Sequence, residues 1–275
     1  MKVHFIAIGG SAMHNLAIAL KINGHIVSGS DDEIFEPSRS RLADHKLLPS
    51  RYGWYPEEIS EDIDAIILGM HARIDNPELL RAKELGLKIY SYPEFLYHHS
   101  KNKKRVVIGG SHGKTTITAI IMHVLRKLNF DFDYLVGSKI KDFDVMVRLS
   151  EDAPIMIFEG DEYLSSPIDL RPKFHWYAPD IALISGIAWD HINVFPTWAN
   201  YVNQFEKFIS LINKGGSLIY NEEDSVLKKI AISRSDIDTI PYSIPKYTIR
   251  NGVNFMITDN GEAELKLFGA HNMMN

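Results

Sequence analysis

Short apolar runs alternate with helical patterns along the first hundred residues. Residues 3–8 are apolar apart from His4, which predicts a buried strand. Residues 12–22 repeat apolar side chains at helical spacing as far as Gly24, which predicts a helix. The alternation continues with strands predicted at residues 26–28 and 64–68 and a helix at residues 77–85, capped by Asn76. Strands and helices in this order predict a parallel, doubly wound α/β sheet.

A polar run at residues 100–105 interrupts the alternation and predicts a domain boundary, with domains at residues 1–102 and 103–275. Beyond it the pattern starts again, with strands predicted at residues 106–108, 155–158, 181–184 and 217–220 and helices at 115–128 and 198–212. Strands at residues 254–258 and 262–267 flank Asp259-Asn260-Gly261, a strong hairpin signal. The second part is therefore predicted to be another α/β domain with a small antiparallel β appendage.

The predicted helix at residues 115–128 is amphipathic. Its inward face is expected to consist of five apolar side chains, namely Ile117, Ile120, Ile121, Val124 and Leu125.

Composition narrows the possible functions. Of the 275 residues, 45% are hydrophobic and 24% are charged, values typical of a globular protein with about two domains. The net charge of −5 argues against a nonspecific nucleic-acid binder, and the lack of cysteine excludes disulfides, thiolate metal sites and a cysteine nucleophile. Apolar runs are too short for a membrane span or a signal peptide. We therefore expect a cytoplasmic protein that neither binds nucleic acid nor inserts into membranes.

The segment GGSHGKTT at residues 109–116 lies between a predicted strand and a predicted helix and carries the strongest chemical signal. Its glycines let backbone N–H groups converge on phosphate oxygens, and the helix N-terminus adds positive potential. Lys114 is placed to reach the terminal phosphates of a nucleotide, and Thr115 to ligate Mg²⁺. The usual pattern has a further glycine where this chain has Ile108. The alternative is a glycine-rich turn with a surface lysine.

Polar side chains also follow two other predicted strands. Glu159, Asp161 and Glu162 follow the strand at residues 155–158, and Asp190 and His191 come after the strand at 181–184. The carboxyl ends of parallel strands meet at one edge of a sheet, so these groups are expected to face the same crevice as the glycine-rich segment. One of the carboxylates could hold Mg²⁺. The alternatives are a solvent-exposed acidic turn and a structural histidine.

A second glycine-rich segment, AIGGSA at residues 7–12, directly follows the first predicted strand. It resembles the dinucleotide pattern G-x-G-x-x-G/A without its first glycine. Asp31 lies about 20 residues further on, where that pattern places an acid that binds ribose. A helix N-terminus offered to a pyrophosphate serves NAD or a UDP-sugar equally well, and both stay open at this point.

Taken together, four motifs resemble those of the Mur ligase family, ATP-dependent enzymes that join amino acids or peptides to UDP-N-acetylmuramate. They are GGSAM at residues 9–13, GSHGKTT at 110–116, EGDEY and DH at 159–163 and 190–191, and FGAHNMMN at 268–275. The resemblance covers the whole chain and implies a Rossmann-like domain for the UDP substrate, followed by a P-loop-type ATPase domain. The C-terminal domain of such ligases is expected to be absent, leaving a fragment that folds but does not ligate.

The resemblance implies roles for individual residues. Lys114, Glu159 and His191 would be catalytic, and Thr115 would join Glu159 and His191 as ligands of Mg²⁺. The implied ATP site comprises Gly110, Ser111, His112, Gly113, Lys114, Thr115, Thr116, His271, Asn272 and Asn275. The implied UDP-substrate site comprises Gly9, Gly10, Ser11, Ala12, Met13 and Asp31. Gly186 and Trp189 depart from the family pattern beside the DH motif.

The implied reaction is amide-bond formation through an acyl phosphate, with ATP and Mg²⁺ as cofactors and UDP-N-acetylmuramate as a substrate. Residues 161–163 and 169–174 resemble the peptide-recycling branch, whose amine substrate is L-alanyl-γ-D-glutamyl-meso-diaminopimelate. L-Alanine as the amine is the alternative. Two other classes remain as rivals: a nicotinamide-dependent oxidoreductase, against which Lys114 and Thr115 argue, and a non-catalytic nucleotide-binding module.

Overall fold

The computed structural model describes residues 1–143, 145–266 and 269–275. Leu267, at the end of the predicted hairpin, and Phe268, which opens the terminal motif, lie outside the described residues. The chain forms two compact units. The first comprises Met1–Lys104, Asp131–Ile157 and Asp161–Tyr177, and the second comprises Arg105–Phe130, Phe158–Gly160 and Ala178–Asn275. The domain boundary between residues 102 and 103 stays a prediction.

Strands and helices alternate through most of the chain. Up to residue 127 they are β1 (Lys2–Ile6), α1 (Ser11–Ile22), β2 (Ile26–Ser30), α2 (Ser38–Asp44), β3 (Ala65–Leu68), α3 (Pro77–Glu84), β4 (Ile89–Ser91), α4 (Tyr92–His99), β5 (Lys104–Gly109) and α5 (Lys114–Lys127). Then follow β6 (Asp133–Leu135), β7 (Val147–Arg148), β8 (Ile155–Glu159), β9 (Leu164–Ser166), β10 (Asp169–Pro172), β11 (Ile181–Ile184), α6 (Trp198–Ser210), β12 (Ser217–Asn221), α7 (Ser225–Ala231), β13 (Asp238–Tyr242), β14 (Tyr247–Arg250), β15 (Val253–Thr258), β16 (Gly261–Leu265) and α8 (Ala270–Met274). None of the helices in the described part of the chain is long and apolar enough to cross a membrane.

In the first unit, four parallel strands form a sheet in the order β2-β1-β3-β4, with Val3 opposite both Val27 and Ala65. Crossover helices connect these strands, as a parallel sheet requires. The predicted cap of α3 is confirmed, because Asn76 Oδ1 accepts hydrogen bonds from the backbone N–H groups of Glu78 and Leu79 at 2.9 and 3.1 Å. Within the same unit, β6 pairs with β7 and β9 with β10, both antiparallel.

In the second unit, β13, β12, β11 and β5 run parallel in that order, and the last residues of β8 lie beside β5. Their carboxyl ends share one edge, which brings the segments after β5 and β11 together. The predicted appendage is a three-stranded antiparallel sheet, β14-β15-β16, whose hairpin pairs Thr258 with Gly261. The predicted α/β class with parallel sheets is thus confirmed.

The prediction for the inward face of α5 is partly wrong. Ile117 is buried, but Ile120 and Val124 are 37% and 47% exposed, whereas Thr118 and Met122 are fully buried. Thr118 is tolerated inside because its hydroxyl donates a hydrogen bond to Lys114 O at 2.8 Å. Apolar spacing alone therefore misplaced the buried stripe of this helix.

Candidate functional site

The phosphate loop, residues 109–116, leaves β5 and enters α5 through two glycines with left-handed backbone. Gly110 has φ 122° and Gly113 has φ 82°. A Cβ at Gly110 would collide with Ser185 Oγ, and a Cβ at Gly113 would collide with Asn275 Oδ1. Both positions therefore require glycine for conformation and for space.

Lys114 and Thr115 open α5 and direct two polar groups toward one cavity. Lys114 Nζ donates a hydrogen bond to Gly110 O at 2.7 Å, so the ammonium group lies back across the loop. Thr115 Oγ1 donates to Glu159 Oε1 at 2.7 Å. The cavity has a volume of about 310 Å³ and is lined by Ser111, His112, Gly113, Lys114, Thr115, Thr116 and Glu159. The structure thus brings the predicted carboxylate and the predicted loop together.

The donor atoms in this cavity suit a hard divalent cation. Thr115 offers a hydroxyl oxygen and Glu159 a carboxylate oxygen, the ligand types that Mg²⁺ prefers. His191 is not among the described residues that line the cavity. Its side chain is 30% exposed, its φ is 53°, and its backbone N–H donates to Asp190 Oδ1 at 2.6 Å. The imidazole is therefore not buried in the core, but its predicted role as a metal ligand stays a prediction.

Ser111 lines the cavity and its side chain also makes hydrogen bonds within the protein. Its hydroxyl lies 2.9 Å from Tyr201 Oη and accepts a hydrogen bond from Ala188 N at 2.8 Å. Ser185 Oγ donates to His112 O, so the segment after β11 braces the loop at two points. Sequence reasoning missed Ser185 and Tyr201. Ser185 directly follows a buried strand, the same signal that identified Glu159.

The predicted residues of the terminal motif are only partly brought to the loop. Asn275 lies against Gly113, which places its side-chain amide beside the N-terminus of α5. His271 instead packs its ring against Gly269, and the backbone N–H of Asn272 donates to Gly269 O at 3.1 Å. Their contacts with the nucleotide stay predictions.

In the first unit, the N-terminal turn (residues 7–10) connects β1 to α1. Ala7 is buried and has φ 67°, the left-handed conformation that the missing first glycine would adopt readily. Its N–H and that of Ile8 both donate to Ser30 O at 3.0 Å. The dinucleotide-type turn is thus formed although alanine occupies its first position.

Asp31 reaches this turn from the end of β2. Its Oδ2 accepts a hydrogen bond from Gly9 N at 2.7 Å, and a Cβ at Gly9 would lie 2.9 Å from the same oxygen. Burial and the neighbouring Asp32 together raise the pKa of Asp31 to about 6, although the hydrogen bond from Gly9 N–H lowers it. The residues predicted around it differ in exposure: Ser11 is exposed, whereas Met13 belongs to the buried core. Met13 therefore packs in the core next to Gly10 rather than on the exposed surface of the turn.

Matches to known families cover both parts of the chain. Residues 108–275 match the Mur ligase middle domain, and residues 2–104 match the Mur ligase family, catalytic domain. The chain belongs to the Mur ligase family. It is 33% identical over 287 residues to UDP-N-acetylmuramate–L-alanine ligase of Clostridium botulinum, covering 99% of this chain and 60% of that ligase. The chain thus spans about 60% of the length of the curated Mur ligases it matches.

Solved Mur ligases share the fold. UDP-N-acetylmuramate:L-alanyl-γ-D-glutamyl-meso-diaminopimelate ligase from Neisseria meningitides superimposes with a TM-score of 0.86 at 24% identity, covering 99% of this chain and 90% of that chain. UDP-N-acetylmuramate-alanine ligase from Thermotoga maritima gives a TM-score of 0.73 at 22% identity, covering 100% of this chain and 62% of that chain. The predicted family and fold are therefore confirmed.

Proposed function

We propose that the protein is an ATP-dependent ligase that joins the carboxylate of UDP-N-acetylmuramate to the amine of L-alanyl-γ-D-glutamyl-meso-diaminopimelate. The main support is the convergence of Lys114, Thr115 and Glu159 on one cavity at the start of α5. A cation, a hydroxyl and a carboxylate at a helix N-terminus suit the phosphates of ATP. Because ATP is a substrate, we infer that the protein acts in the cytoplasm.

In the first step, a carboxylate oxygen of UDP-N-acetylmuramate attacks the γ-phosphorus of ATP, and the bond to the bridging oxygen breaks to release ADP. The amine nitrogen then attacks the acyl carbon, phosphate leaves with the bonding electrons, and the nitrogen loses a proton. Lys114 compensates phosphate charge from its position beside Gly110 O. Mg²⁺, when bound by Thr115 and Glu159, supplies further positive charge to the phosphate oxygens. His191 is proposed as another ligand on the family resemblance alone.

The UDP substrate is proposed to bind at the N-terminal turn of the first unit. Asp31 offers a carboxylate there that can accept a hydrogen bond from a ribose hydroxyl. The side chain of Ser11 is exposed at the start of α1. In this assignment the N-terminal turn binds the UDP substrate, and the phosphate loop binds ATP.

L-Alanine is the second candidate for the amine. The matched Clostridium botulinum relative carries that activity in its name, at 33% identity. The resemblance of residues 161–163 and 169–174 to peptide-recycling ligases favours the tripeptide instead.

The test uses the protein as its gene encodes it. The enzyme is incubated with ATP, Mg²⁺ and UDP-N-acetylmuramate, with either the tripeptide or L-alanine, and both phosphate release and product mass are measured. Product with the tripeptide alone supports the proposal, and product with L-alanine alone selects the second candidate. Binding of ATP without product in either reaction would favour a non-catalytic nucleotide-binding module. Quenching of NADH fluorescence on titration would instead favour an oxidoreductase.

A further inference from the structure

A buried histidine in the first unit contacts four polar groups around the start of α1. His14 is 2% exposed, and its Nδ1 lies 2.9 Å from Gly10 O and 3.0 Å from Ser38 Oγ. Its Nε2 lies 3.1 Å from Asn15 Nδ2 and 3.3 Å from Arg41 Nη1. His14 therefore links the first turn of α1 to the arginine of α2.

The partners of His14 determine its protonation. A carbonyl oxygen only accepts hydrogen bonds, so Nδ1 carries the proton that is donated to Gly10 O. The amide of Asn15 is oriented by Ser11 O, to which its Nδ2 donates at 2.7 Å. Because both this amide group and the guanidinium group of Arg41 donate, Nε2 must present its lone pair. Burial lowers the pKa of His14, and the charge of Arg41 lowers it further, so the imidazole is neutral.

Arg41 is a partly buried cation whose acceptors are both neutral. Its Nη1 donates to His14 Nε2 and lies 3.6 Å from Met146 Sδ, and no carboxylate of the described residues forms an ion pair with it. Burial lowers the pKa of Arg41. Seven other arginines in the described residues pair with carboxylates, namely Arg51, Arg73, Arg81, Arg148, Arg171, Arg234 and Arg250. A partly buried cation is stabilised by a nearby anion, and the two neutral acceptors of Arg41 supply none.

The surroundings indicate where the anion binds. Arg41 contacts the ring of His14, which lies over the first turn of α1 because helical side chains point toward the N-terminus. Asp31 already occupies Gly9 N–H in the adjacent turn. Glu36, two residues before α2, accepts from Ser40 N at 3.3 Å. A phosphate at this turn therefore depends on a side-chain donor more than a phosphate at an open glycine loop does.

We propose that Arg41, oriented by the neutral imidazole of His14, binds the diphosphate of the UDP substrate. This inference rests on the proposed function, because it takes UDP-N-acetylmuramate as the ligand of the first unit. The guanidinium has a planar array of N–H donors that matches two phosphate oxygens at once. His14 acts as a positioning residue, since its lone pair accepts from Arg41 Nη1 and so fixes the guanidinium in place.

The test measures binding of UDP-N-acetylmuramate and of uridine to the 275-residue chain by isothermal titration calorimetry. Arg41→Ala should weaken the binding of UDP-N-acetylmuramate about tenfold to a hundredfold, the usual range for a lost charged hydrogen bond, and leave uridine binding within twofold. Arg39→Ala is the matched control. Arg39 lies on the same helix, is exposed, and should change neither affinity by more than twofold.

His14→Phe separates positioning from a general structural role. In the wild-type background it should weaken the binding of UDP-N-acetylmuramate about tenfold, but in the Arg41→Ala background by less than twofold. His14→Gln, which retains an acceptor, should recover part of the affinity. Equal losses in both backgrounds would overturn the positioning role.

The outcomes also distinguish this inference from the proposed function. If the wild-type chain binds UDP-N-acetylmuramate and Arg41→Ala matches Arg39→Ala, the assignment of Arg41 is wrong and the substrate stands. If the wild-type chain binds neither UDP-N-acetylmuramate nor uridine, the proposed substrate itself is wrong. An equal loss of uridine and UDP-N-acetylmuramate binding in Arg41→Ala would move Arg41 to the nucleoside and contradict the diphosphate contact.

Discussion

The N-terminal turn and the phosphate loop both connect a buried parallel strand to a helix through glycines, yet each places its acid differently. In the N-terminal turn, Asp31 accepts directly from Gly9 N–H at 2.7 Å. In the phosphate loop, Glu159 is held by the hydroxyl of Thr115, and Lys114 adds a cation. In the first case the acid occupies a backbone N–H group of the turn, whereas in the second it bonds to a hydroxyl beside a cation, an arrangement that suits phosphate and metal.

The comparison indicates that glycines alone do not decide what a glycine-rich turn binds. Its ligand depends on which side chain reaches the backbone N–H groups and on whether a cation is near. In the proposed assignment the N-terminal turn obtains its cation from α2, through Arg41, which contacts His14, whereas the phosphate loop carries Lys114 within its own sequence. Mutations in the phosphate loop should therefore change the rate of ligation, whereas mutations in the N-terminal turn should change the free energy of unfolding and its dependence on pH.

The largest effect is expected at the cation of the phosphate loop. Lys114→Ala in the gene-encoded protein should lower kcat for ATP-dependent ligation by about a hundredfold or more, because preorganised charge on the phosphates is lost. Phosphate release under saturating substrates measures this, and thermal unfolding should be unchanged. Lys127→Ala, at the exposed opposite end of α5, is the control. Turnover near the wild-type level in Lys114→Ala would remove Lys114 from the mechanism.

The acid of the N-terminal turn should make stability depend on pH. The folded-state pKa of Asp31, about 6, exceeds its ordinary value of 3.8, so the folded chain binds this proton more tightly than the unfolded chain. The free energy of unfolding should therefore fall by about 2–3 kcal/mol as pH rises from about 4 to about 7. Asp31→Asn should flatten that part of the profile in urea titrations.

An exposed acid provides the control for this pH profile. Asp44→Asn, at the end of α2, should leave the slope as in the wild type. A wild-type slope in Asp31→Asn would mean that another group titrates in this range, and the contrast between the two turns would lose its electrostatic basis.

The close approach of Asp31 to Gly9 should make that glycine sensitive to substitution. In Gly9→Ala, the added Cβ would lie 2.9 Å from Asp31 Oδ2 and 3.0 Å from Ile34 Cγ1. The neighbouring atoms must shift to make room for this Cβ, which should lower the free energy of unfolding by about 1–3 kcal/mol. Urea denaturation measures the loss, and Ser11→Ala, at an exposed position beside the turn, should change it by less than about 0.5 kcal/mol. A loss no larger than that of the control would show that the turn accommodates the added Cβ without strain.

The smallest effect is expected at the left-handed alanine. Ala7→Gly relieves the strain of φ 67° but adds chain entropy to the unfolded state and removes a buried methyl group. These terms nearly cancel, so the free energy of unfolding should change by less than about 1 kcal/mol. Ala7→Val, which has a β-branched side chain, should destabilise the fold by more than about 2 kcal/mol. Tolerance of valine would mean that the backbone at this turn can relax out of the left-handed region.

Sequence reasoning predicted the parts of the fold that depend on local periods. Each of these features is encoded by residues that lie close together in the sequence. They are the alternation of strands and helices, the Asn76 cap and the Asp259–Gly261 hairpin. The buried face of α5 was misplaced because Thr118 satisfies its hydroxyl on the helix backbone and can be buried. The convergence of Glu159 with Thr115 was predictable, since both lie at strand or helix ends near one edge of a sheet.

The parts that were not predicted depend on pairs far apart in the chain. Ser185 contacts His112 across 73 residues, and Tyr201 contacts Ser111 across 90 residues. The contact between His14 and Arg41 joins two helices that the sequence pattern leaves independent. In such pairs each residue is unremarkable alone, because serine, tyrosine, histidine and arginine occur throughout ordinary surfaces and cores. Only tertiary packing distinguishes them.

Under the proposed function, the raised pKa of Asp31 couples proton uptake to binding of the UDP substrate at the N-terminal turn. A diphosphate brought next to this carboxyl group adds negative charge and raises its pKa beyond the value of about 6 that it has in the free chain. Near pH 6.5, binding therefore consumes a fraction of a proton per molecule from the buffer. The observed heat of binding then varies with the ionisation enthalpy of the buffer, and the affinity rises as the medium becomes slightly acidic.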